Sequence, residues 1–590
     1  MSRHGGAKPD KGEGQEAKPS GGQSAAGGPS GEAADRTGRR QEQVPSRAGS
    51  DRREGWGRYL VAPRPMGLLA GGVPPLEASA LFKLLEEDAQ VEPVAQLRPP
   101  RSSGLEAIAG PYPVCPPVAV VKMPEERART LAANPQLVVE IDQPLTYTPT
   151  SAPGGGSGLL LADPLLAVTL QESDQIRVLV RGSDGKAVPD AQVWAVGAAA
   201  VHGVSGEDGR VSLRLAADTP ATLRALYVRP ESGYWPARID SPQPTDEGEI
   251  TVEVTALAET FEGFPERAVT GWGVQAMRLH QLPPTYRGHG IKIALLDSGV
   301  HTAHPDLKDT VQAGRDFTGT DGTWQRDSTG NGTRCAGIIA AADNHTGITG
   351  IAAEAELHAL KLFPGGRVSD LLQAIDYCLE QDIDIAQISL AYALPSQLVA
   401  WKVMDAHAAG ITLIAPAGDT AGPVTYPAAL PGVLSVGALA HTGAYPATSP
   451  LASTRPPWPG FYPAPFTPIG PGIDLAAPGT AVLTTTIGDG YTPADGTSLA
   501  AAHVTALAAL LLAHHDHLRT HNTPRTPTRA GHLLTLLRTA CRPLPGTHPQ
   551  HLGAGIADAP TALGTPTPWQ QEPPAHLLHT TASGSYPPRP

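Results

Sequence analysis

The C-terminal half of the chain carries an aspartate, a serine and an asparagine in settings where side chains do chemistry. Asp297 follows the apolar run IKIALL, Ser498 begins an apolar stretch after DGT, and Asn331 follows a glycine in GNGTRCAGIIAA. A serine hydroxyl in the first turn of a helix lies near unpaired backbone N–H groups, which can stabilise an oxyanion. Such a serine also needs a neighbouring base, and an asparagine cannot accept a proton near neutral pH.

The hydrophobic pattern predicts the elements that position these residues. Buried strands are predicted at IKIALL, IDIAQISLA, GITLIAPAGD and VLSVGAL, and helices at GNGTRCAGIIAA and at DGTSLAAAHVTALAALLLA. In open α/β sheets, groups that act on ligands gather at the carboxyl ends of the strands, and Asp297 lies at such an end. The pattern therefore predicts an α/β domain with Asp297 in its functional site.

The order of these motifs resembles the subtilisin-like (S8) serine peptidase family over roughly 270 residues. The resemblance rests on DSG at 297–299, HPDL at 304–307, GxGTxxAG at 330–337, AxDNxxGxxGIA at 341–352, APG at 477–479 and GTSxA at 496–500. Family members have a mainly parallel sheet covered by helices on both faces, and they cleave peptides with an Asp, a His and a Ser. The resemblance implies the same fold for this chain.

Carried over position by position, the resemblance keeps two of the three catalytic residues. Asp297 matches the aspartate that orients the histidine, and Ser498 matches the nucleophile. The family phrase H-G-T-H-x-A-G is N-G-T-R-C-A-G at 331–337, so both histidines are absent and Asn331 stands where the general base is expected. In subtilisin, loss of that base lowers kcat by about 10⁶.

Further departures surround the predicted site. Asp419 matches the asparagine that donates to the oxyanion, a loss that costs about 10²–10³ in kcat, although some family members carry aspartate there. Ala391 replaces the glycine of SLG, and Ala502 replaces a proline that follows the serine. The resemblance implies that the substrate groove runs along two strand ends, at Ser389, Leu390, Ala391, Ala415, Pro416, Ala417 and Gly418.

Other histidines offer no clear substitute for the missing base. His503 matches a structural histidine of the family, and the three histidines within 514–517 lie at least ~24 Å from Ser498 if the helix continues. His301, four residues after Asp297, is the histidine that position excludes least. A histidine in the substrate could also fill the gap beside Ser498.

Composition and patterning predict five regions. Residues 1–55 and 563–590 are predicted to be disordered because they contain little to bury. Residues 56–150 include a predicted helix at 76–85 and, at 118–142, a strand, a helix and a strand that resemble the end of the propeptide (inhibitor I9) domain of subtilisin-like peptidases. Residues 160–260 alternate apolar and polar side chains and resemble an immunoglobulin-like sandwich of the carboxypeptidase-regulatory type, with a binding or spacer role. Residues 270–562 form the peptidase-like domain.

Charge and cysteine usage limit the function classes. A net charge of -13 argues against nucleic acid or an anionic membrane as the main partner, and the family resemblance implies a peptide or protein instead. The four cysteines are too widely spaced for a disulfide framework or a metal site, and they are expected to be reduced thiols. No cofactor or metal is predicted. The family resemblance admits Ca²⁺, but no loop has a ligand spacing to which a site can be assigned.

The sequence also yields expectations about location. The longest apolar run, Val504–Ala513, is shorter than the ~20 residues of a membrane span, so no span is predicted. The first residues lack the apolar segment of a signal peptide, which predicts a cytoplasmic protein as written and a secreted one if the start is misassigned. The oligomeric state is not predicted.

Two functions fit these residues. In the first, the chain is a pseudopeptidase that binds an extended peptide by strand addition without efficient cleavage. In the second, it is an active or substrate-assisted serine endopeptidase that uses Ser498 and Asp297. Retention of Ser498 favours the second function, whereas the departures at Asn331, Asp419 and Ala391 favour the first.

Overall fold

The computed structural model describes three folded regions between Gly55 and Gly564. The described residues are 55–69, 73–99, 115–146, 174–215, 218–245, 248–319, 322–446, 460–519, 524–544 and 547–564. The predicted disordered tails lie outside them except for Gly55, Leu563 and Gly564, and so does the start of the predicted sandwich, residues 160–173.

The first region is a four-stranded antiparallel sheet with two helices. Its elements are β1 Trp56–Pro63, a 3-10 turn Met66–Leu68, α1 Ala78–Glu87, β2 Glu92–Leu97, β3 Val118–Pro124, α2 Glu125–Ala132 and β4 Leu137–Ile141. The strand order is β2-β3-β1-β4, so the chain has a ferredoxin-like β-α-β-β-α-β arrangement. Pro124 precedes α2, and the acidic Glu125 and Glu126 in its first turn favour the helix because they face the positive end of its dipole.

Half of this sheet was not predicted from the sequence. The pattern predicted a helix at 76–85 and a strand, a helix and a strand at 118–142. It predicted no strand for 56–63 or 92–97, where the structure has β1 and β2. β1 lies between β3 and β4 and supplies fully buried Leu60 and Val61. Strand β1 is therefore stabilised by pairing on both edges, which a local sequence window does not show.

The second region consists of two small sheets that share one hydrophobic cluster. Its elements are β5 Gln175–Gly182, β6 Gln192–Val196, β7 Ala200–Val204, β8 Arg210–Arg214, a 3-10 turn Pro220–Thr222, β9 Ala225–Arg229, β10 Ala237–Asp240 and β11 Glu249–Val254. One sheet has the order β10-β9-β6-β7 and the other β11-β5-β8. Alternate residues such as Val178, Val193 and Val252 point into the shared cluster, as the period-two pattern predicted.

The third region is a mixed α/β domain built on a ten-stranded sheet. The strands of this region, two of which form a separate hairpin, are β12 Lys292–Asp297, β13 Val311–Asp316, β14 Glu356–Lys361, β15 Ile385–Ile388, β16 Thr412–Pro416, β17 Val433–His441, β18 Phe461–Pro463, β19 Leu475–Pro478, β20 Val482–Thr485, β21 Tyr491–Ala494, β22 Cys541–Arg542 and β23 Ile556–Ala557. The main sheet has the order β13-β14-β12-β15-β16-β17-β19-β23-β22, with β18 beside β17. It is parallel from β13 to β23, and β20 and β21 form a separate hairpin.

Helices cover both faces of this sheet. They are α3 Leu257–Thr260, α4 Trp272–Ala276, a 3-10 turn Leu279–Gln281, α5 Asn331–Ala340, α6 Val368–Glu380, α7 Gln397–Ala408, α8 Thr497–His514, α9 Pro527–Thr539, α10 Pro549–Leu552 and α11 Ala559–Ala562. Along β12, Ile293 and Leu295 belong to the cluster that contains α5 and α8, whereas Ala294 and Leu296 belong to the cluster that contains α6 and α7. The alternation of β12 therefore fixes which helices lie on which face.

Helix α8 is the apolar core of this domain. By length and composition it could cross a membrane, which the predicted absence of a span did not anticipate, but 89% of its most apolar window is buried inside the protein. This burial is typical of the core helix of a globular domain. The helix ends at His514, so His515 and His517 lie beyond it. The distance to Ser498 predicted from the sequence had assumed that the helix continues through these two residues.

Candidate active site

The carboxyl end of β12 and the first turn of α5 meet at the centre of the site. Asp297 is the last residue of β12, and Asn331 is the first residue of α5. A Cβ on Gly332 would lie only 1.9 Å from the carbonyl oxygen of Gly299, so only glycine allows α5 to approach the strand this closely. Asp327 fixes the start of α5, because its carboxylate accepts hydrogen bonds from the backbone and hydroxyl of Thr333.

Asn331 bridges the two other predicted catalytic residues. Its Nδ2 donates to Asp297 Oδ2 at 2.7 Å, and its Oδ1 accepts a hydrogen bond from Ser498 Oγ at 3.0 Å. Asp297, Asn331 and Ser498 are 1%, 4% and 7% exposed, so this chain of hydrogen bonds is almost fully enclosed. The fold thus joins residues that are 34 and 167 positions apart in the sequence.

Asp297 is a buried carboxyl that accepts hydrogen bonds from neutral groups of Ser298 and Asn331. Burial, followed by the charge of Asp327, raises the pKa of Asp297 to about 8, although Ser298 donates to it from both its backbone and its hydroxyl. An imidazolium at position 331 would favour the ionised form of Asp297, whereas the neutral amide of Asn331 supplies only a hydrogen bond.

Ser498 lies in the first turn of α8, after a backbone turn that requires glycine. Gly496 precedes the helix with φ of 156°, and the carbonyl of Ser498 accepts hydrogen bonds from Gln387 Nε2 at 3.2 Å and from the thiol of Cys335 at 3.6 Å. Gln387 and Cys335 were not predicted as site residues. Both lie within apolar runs of the sequence, and nothing in those runs indicates that they contact the carbonyl of Ser498.

Asp419 lies beside Ser498 but is engaged with the neighbouring threonine. Its Oδ1 accepts hydrogen bonds from the backbone N–H of Thr497 at 2.7 Å and from Thr497 Oγ1 at 2.8 Å. Burial, with a further contribution from the charge of Asp495, raises the pKa of Asp419 to about 6. Near neutral pH the position predicted to donate to an oxyanion therefore presents a carboxylate, which only accepts hydrogen bonds.

A pocket beside Ser498 contains most of the predicted groove residues. It opens to solvent, and Asp419 and Ser498 line it together with Ser389, Leu390, Ala391, Pro416, Gly418, Thr425 and Thr497. Ala415 and Ala417, which were also predicted to line the groove, are fully buried and do not line this pocket. Their side chains pack in the core because alternate residues of a strand point to opposite sides.

The chain's own segment 143–146 lies along this groove in an extended conformation. Leu145 N donates to Gly366 O at 2.8 Å, Thr146 N donates to Ala391 O at 2.7 Å, and Ala391 N donates back to Thr146 O at 3.0 Å. The side chain of Gln143 makes a matching pair of hydrogen bonds with the backbone of Leu394. Leu145 is only 4% exposed, so the groove accepts both a backbone and an apolar side chain.

Two carboxylates hold the first region on the α/β domain. Glu140 accepts hydrogen bonds from Ser396 Oγ at 2.6 Å and from the backbone of Gln397, at the start of α7. Asp142 accepts from the backbone and hydroxyl of Ser369, at the start of α6. Carboxylates are stabilising at these positions because helix N-termini present unpaired N–H groups.

Among the described residues, the histidines closest in sequence to Ser498 and Asp297 bond elsewhere. His503 bonds through Nδ1 to the carbonyl of Leu499, and burial lowers its pKa to about 4. His301, the histidine that position excluded least, bonds through Nε2 to Asp489 at 2.9 Å instead of to Asp297. Within the described residues, no group of histidines, cysteines and acids is arranged to hold a metal ion.

The two-sheet region also reaches the neighbourhood of Ser498, which the sequence did not predict. The loop between β9 and β10 inserts Trp235, 1% exposed, into the cluster that contains α8. Trp235 packs edge-to-face on Tyr445, whose hydroxyl donates to both oxygens of Asp495 at 2.8 Å. Asp495 also accepts a hydrogen bond from Ala481 N, and it directly precedes Gly496, three residues before Ser498. The sheets therefore support the serine turn.

Comparison with known proteins supports a family assignment. The sequence profile of the "Subtilase family" matches residues 288–555. "Subtilisin Savinase" of Lederbergia lenta is 34% identical over 247 residues, which are 41% of this chain and 83% of that protein. The chain belongs to the subtilase family. "M-protease" of Shouchella clausii (strain KSM-K16) is 32% identical over 278 residues, 46% of this chain and 67% of that protein. "Subtilisin E" of Bacillus subtilis (strain 168) is 30% identical over 250 residues, 41% of this chain and 60% of that protein.

The subtilase match coincides with the third region of the structure. It begins just before β12 and ends just before β23, so it includes Asp297, Asn331, Asp419 and Ser498. The ferredoxin-like first region and the two small sheets precede it. In this subtilase, about 230 residues, from 56 to 287, therefore lie outside the family match on its N-terminal side.

Proposed function

We propose that this subtilase is a pseudopeptidase, which binds an extended peptide in its groove without cleaving it efficiently. The observation that carries the proposal is the position of Asn331 between Asp297 and Ser498, with hydrogen bonds to both. The amide oxygen that accepts the serine proton has no appreciable basicity near neutral pH, so Ser498 is not activated as a nucleophile.

The groove itself supports peptide binding. Segment 143–146 is held there by backbone hydrogen bonds to Gly366 and Ala391, which any extended peptide can make whatever its side chains. We further propose that residues 56–150 act as a propeptide-like inhibitor that remains attached, because a chain without a general base cannot remove its own inhibitor efficiently. Residues 160–260 are proposed to serve as an immunoglobulin-like supporting domain.

The alternative, a substrate-assisted endopeptidase, is less well supported. A histidine from a substrate would have to lie between Asp297 and Ser498, but the Asn331 side chain already occupies that position. Asp419 also opposes the build-up of negative charge on a tetrahedral intermediate, because burial leaves its carboxylate unscreened.

A fluorophosphonate probe tests the proposal directly. The full chain and an Asn331→His variant are incubated with the probe, with Ser498→Ala as the matched control, and labelling is followed by intact mass. We expect no labelling of the unmodified chain beyond that of Ser498→Ala. Labelling of the unmodified chain that Ser498→Ala abolishes would overturn the proposal.

Self-cleavage and substrate assistance have their own readouts. Intact mass after expression is expected to give the full-length chain, whereas an active peptidase would cut between the first region and the two small sheets. Peptides with and without histidine beside the tested bond should be equally inert. Cleavage of the histidine-containing set alone would establish the alternative.

A further inference from the structure

The pocket beside Ser498 is lined by aliphatic surface, by hydroxyl groups and by one carboxylate. Leu390, Ala391 and Pro416 supply aliphatic surface, and Asp419 is the only charged residue among the described residues that line the pocket. A ligand that complements this arrangement has an aliphatic stem and a positively charged head.

Asp419 has one oxygen available to such a head. Both hydrogen bonds from Thr497 go to Oδ1, and Oδ2 has no hydrogen-bond partner in the part of the chain that the structure describes. The side chain is 94% buried, since its exposed fraction is 6%. A buried carboxylate with a free oxygen and no neighbouring cation gains more from a charged donor than an exposed one does.

The neighbouring hydroxyls reinforce this preference for donors. Ser498 Oγ donates its proton to Asn331, and Thr425 Oγ1 donates to the carbonyl of Ala417 at 3.2 Å. Both hydroxyl protons are therefore already donated within the protein, which leaves the two oxygens as acceptors. The N–H of Gly418 already donates to Thr497 Oγ1 at 3.3 Å. Hydrogen-bond acceptors thus outnumber donors in the pocket, which is the reverse of an oxyanion site.

We propose that this pocket selects a basic side chain, lysine or arginine, of a peptide bound in the groove, through Asp419. The inference rests on the proposed function, because it assumes that the groove binds peptides. The ligand class is a peptide whose aliphatic stem lies on Leu390 and Pro416 and whose N–H donors reach Asp419.

The register of the bound segment identifies which peptide residue enters the pocket. Thr146 and Ala391 pair in antiparallel register. In a peptide that continues this strand, the second residue after the Thr146 position comes opposite Ser389, which lines the pocket. A hexapeptide that begins at the Gln143 position therefore presents its sixth residue to Asp419.

Three acetylated hexapeptides test the inference on the full chain. They share the first five residues Gln-Pro-Leu-Thr-Tyr and end in lysine, in norleucine or in glutamate, and their dissociation constants are compared by fluorescence anisotropy. The chain's own segment competes with all three equally, so it does not alter their ratio. We expect the lysine peptide to bind at least about tenfold more tightly than the norleucine peptide, and the glutamate peptide to bind most weakly.

Two substitutions separate the pocket charge from general electrostatics. Asp419→Asn should bring the lysine and norleucine peptides within about twofold of each other, because it removes the charge from the pocket. Asp489→Asn removes a charge from a residue that does not line the pocket, and it should keep the lysine preference. Equal affinities of lysine and norleucine peptides for the unmodified chain would overturn this inference alone.

A further variant distinguishes this outcome from failure of the proposed function. Leu145→Asp places a charge in a buried position and should release the chain's own segment from the groove. If none of the three peptides binds to either the unmodified chain or Leu145→Asp, the proposal that the groove binds peptides is wrong. The proposed preference for a basic residue is then wrong as well.

Discussion

Ser498 Oγ donates its 3.0 Å hydrogen bond to Asn331 Oδ1, so the hydroxyl proton faces an acceptor that cannot remove it. The same amide donates to Asp297 from its other end, at 2.7 Å. Asn331 therefore links an aspartate to a serine through hydrogen bonds, with an amide oxygen that has no appreciable basicity near neutral pH.

Restoring catalysis should require two substitutions. Asn331→His supplies a base between Asp297 and Ser498, but Asp419 still opposes an oxyanion. Because one oxyanion donor is worth about 10²–10³ in rate, we expect Asn331→His with Asp419→Asn to react with a fluorophosphonate about 100-fold faster than Asn331→His alone. Labelling kinetics by mass spectrometry give both rates, and addition of Ser498→Ala should abolish each of them. Equal rates would show that Asp419 is not the second obstacle.

Stability should fall with rising pH near neutrality because of Asp297. Its folded-state pKa of about 8 lies above its ordinary value of 3.8, so the folded chain holds the proton more tightly and loses this stabilisation as the pH rises through about 4 to 8. We expect Asp297→Asn to reduce the slope of unfolding free energy between pH 6.5 and 8 by up to about 1.4 kcal/mol per pH unit. Urea unfolding across this range measures it. The carboxyl of Asp419 has a pKa of about 6, so Asp419→Asn should change the unfolding free energy mainly at lower pH. An equal effect of both variants would contradict the assignment of the pH dependence to Asp297.

The segment in the groove should depend on one apolar side chain. Leu145 is 4% exposed, and its truncation to alanine should weaken docking by about 2 kcal/mol or more. Hydrogen exchange at the Thr146 and Ala391 amides, which hold the segment to the groove, should then accelerate by about tenfold or more. Ile141→Ala, at a position that is 53% exposed, is the matched control and should leave both amides unchanged. Unaltered exchange in Leu145→Ala would mean that the backbone bonds alone hold the segment.

The two small sheets and the α/β domain should unfold together. Trp235 belongs to the second region by sequence but is buried in the core of the third, so Trp235→Ala should cost about 3–5 kcal/mol. Denaturant unfolding followed by fluorescence and by circular dichroism should give one transition at a lower midpoint. Trp194→Ala, at a half-buried position on β6, should cost much less. Two separate transitions in the unmodified chain would contradict this coupling.

Much of the fold was accessible from local sequence because each signal was contained within a few residues. The run IKIALL gave a buried strand that ends at Asp297, and α5 and α8 begin at Asn331 and Thr497 close to where the glycine-rich turns predicted. The pairing partners of β1 and β2 lie up to 82 residues away, so no local window contained the information that makes them strands.

The sequence by itself determined which functional groups the chain offers. The amide of Asn331 is not a base near neutral pH, and an ionised carboxylate at Asp419 is not a hydrogen-bond donor, because those properties belong to the side chains. Only the tertiary structure decided how the remaining groups are used. It showed that Asn331 holds both Asp297 and Ser498, that Asp419 has one oxygen engaged by Thr497 and one available to the pocket, and that segment 143–146 lies in the groove. Hydrogen bonding and burial depend on distances between residues remote in the chain, and those distances are set only when the sheet and its helices pack.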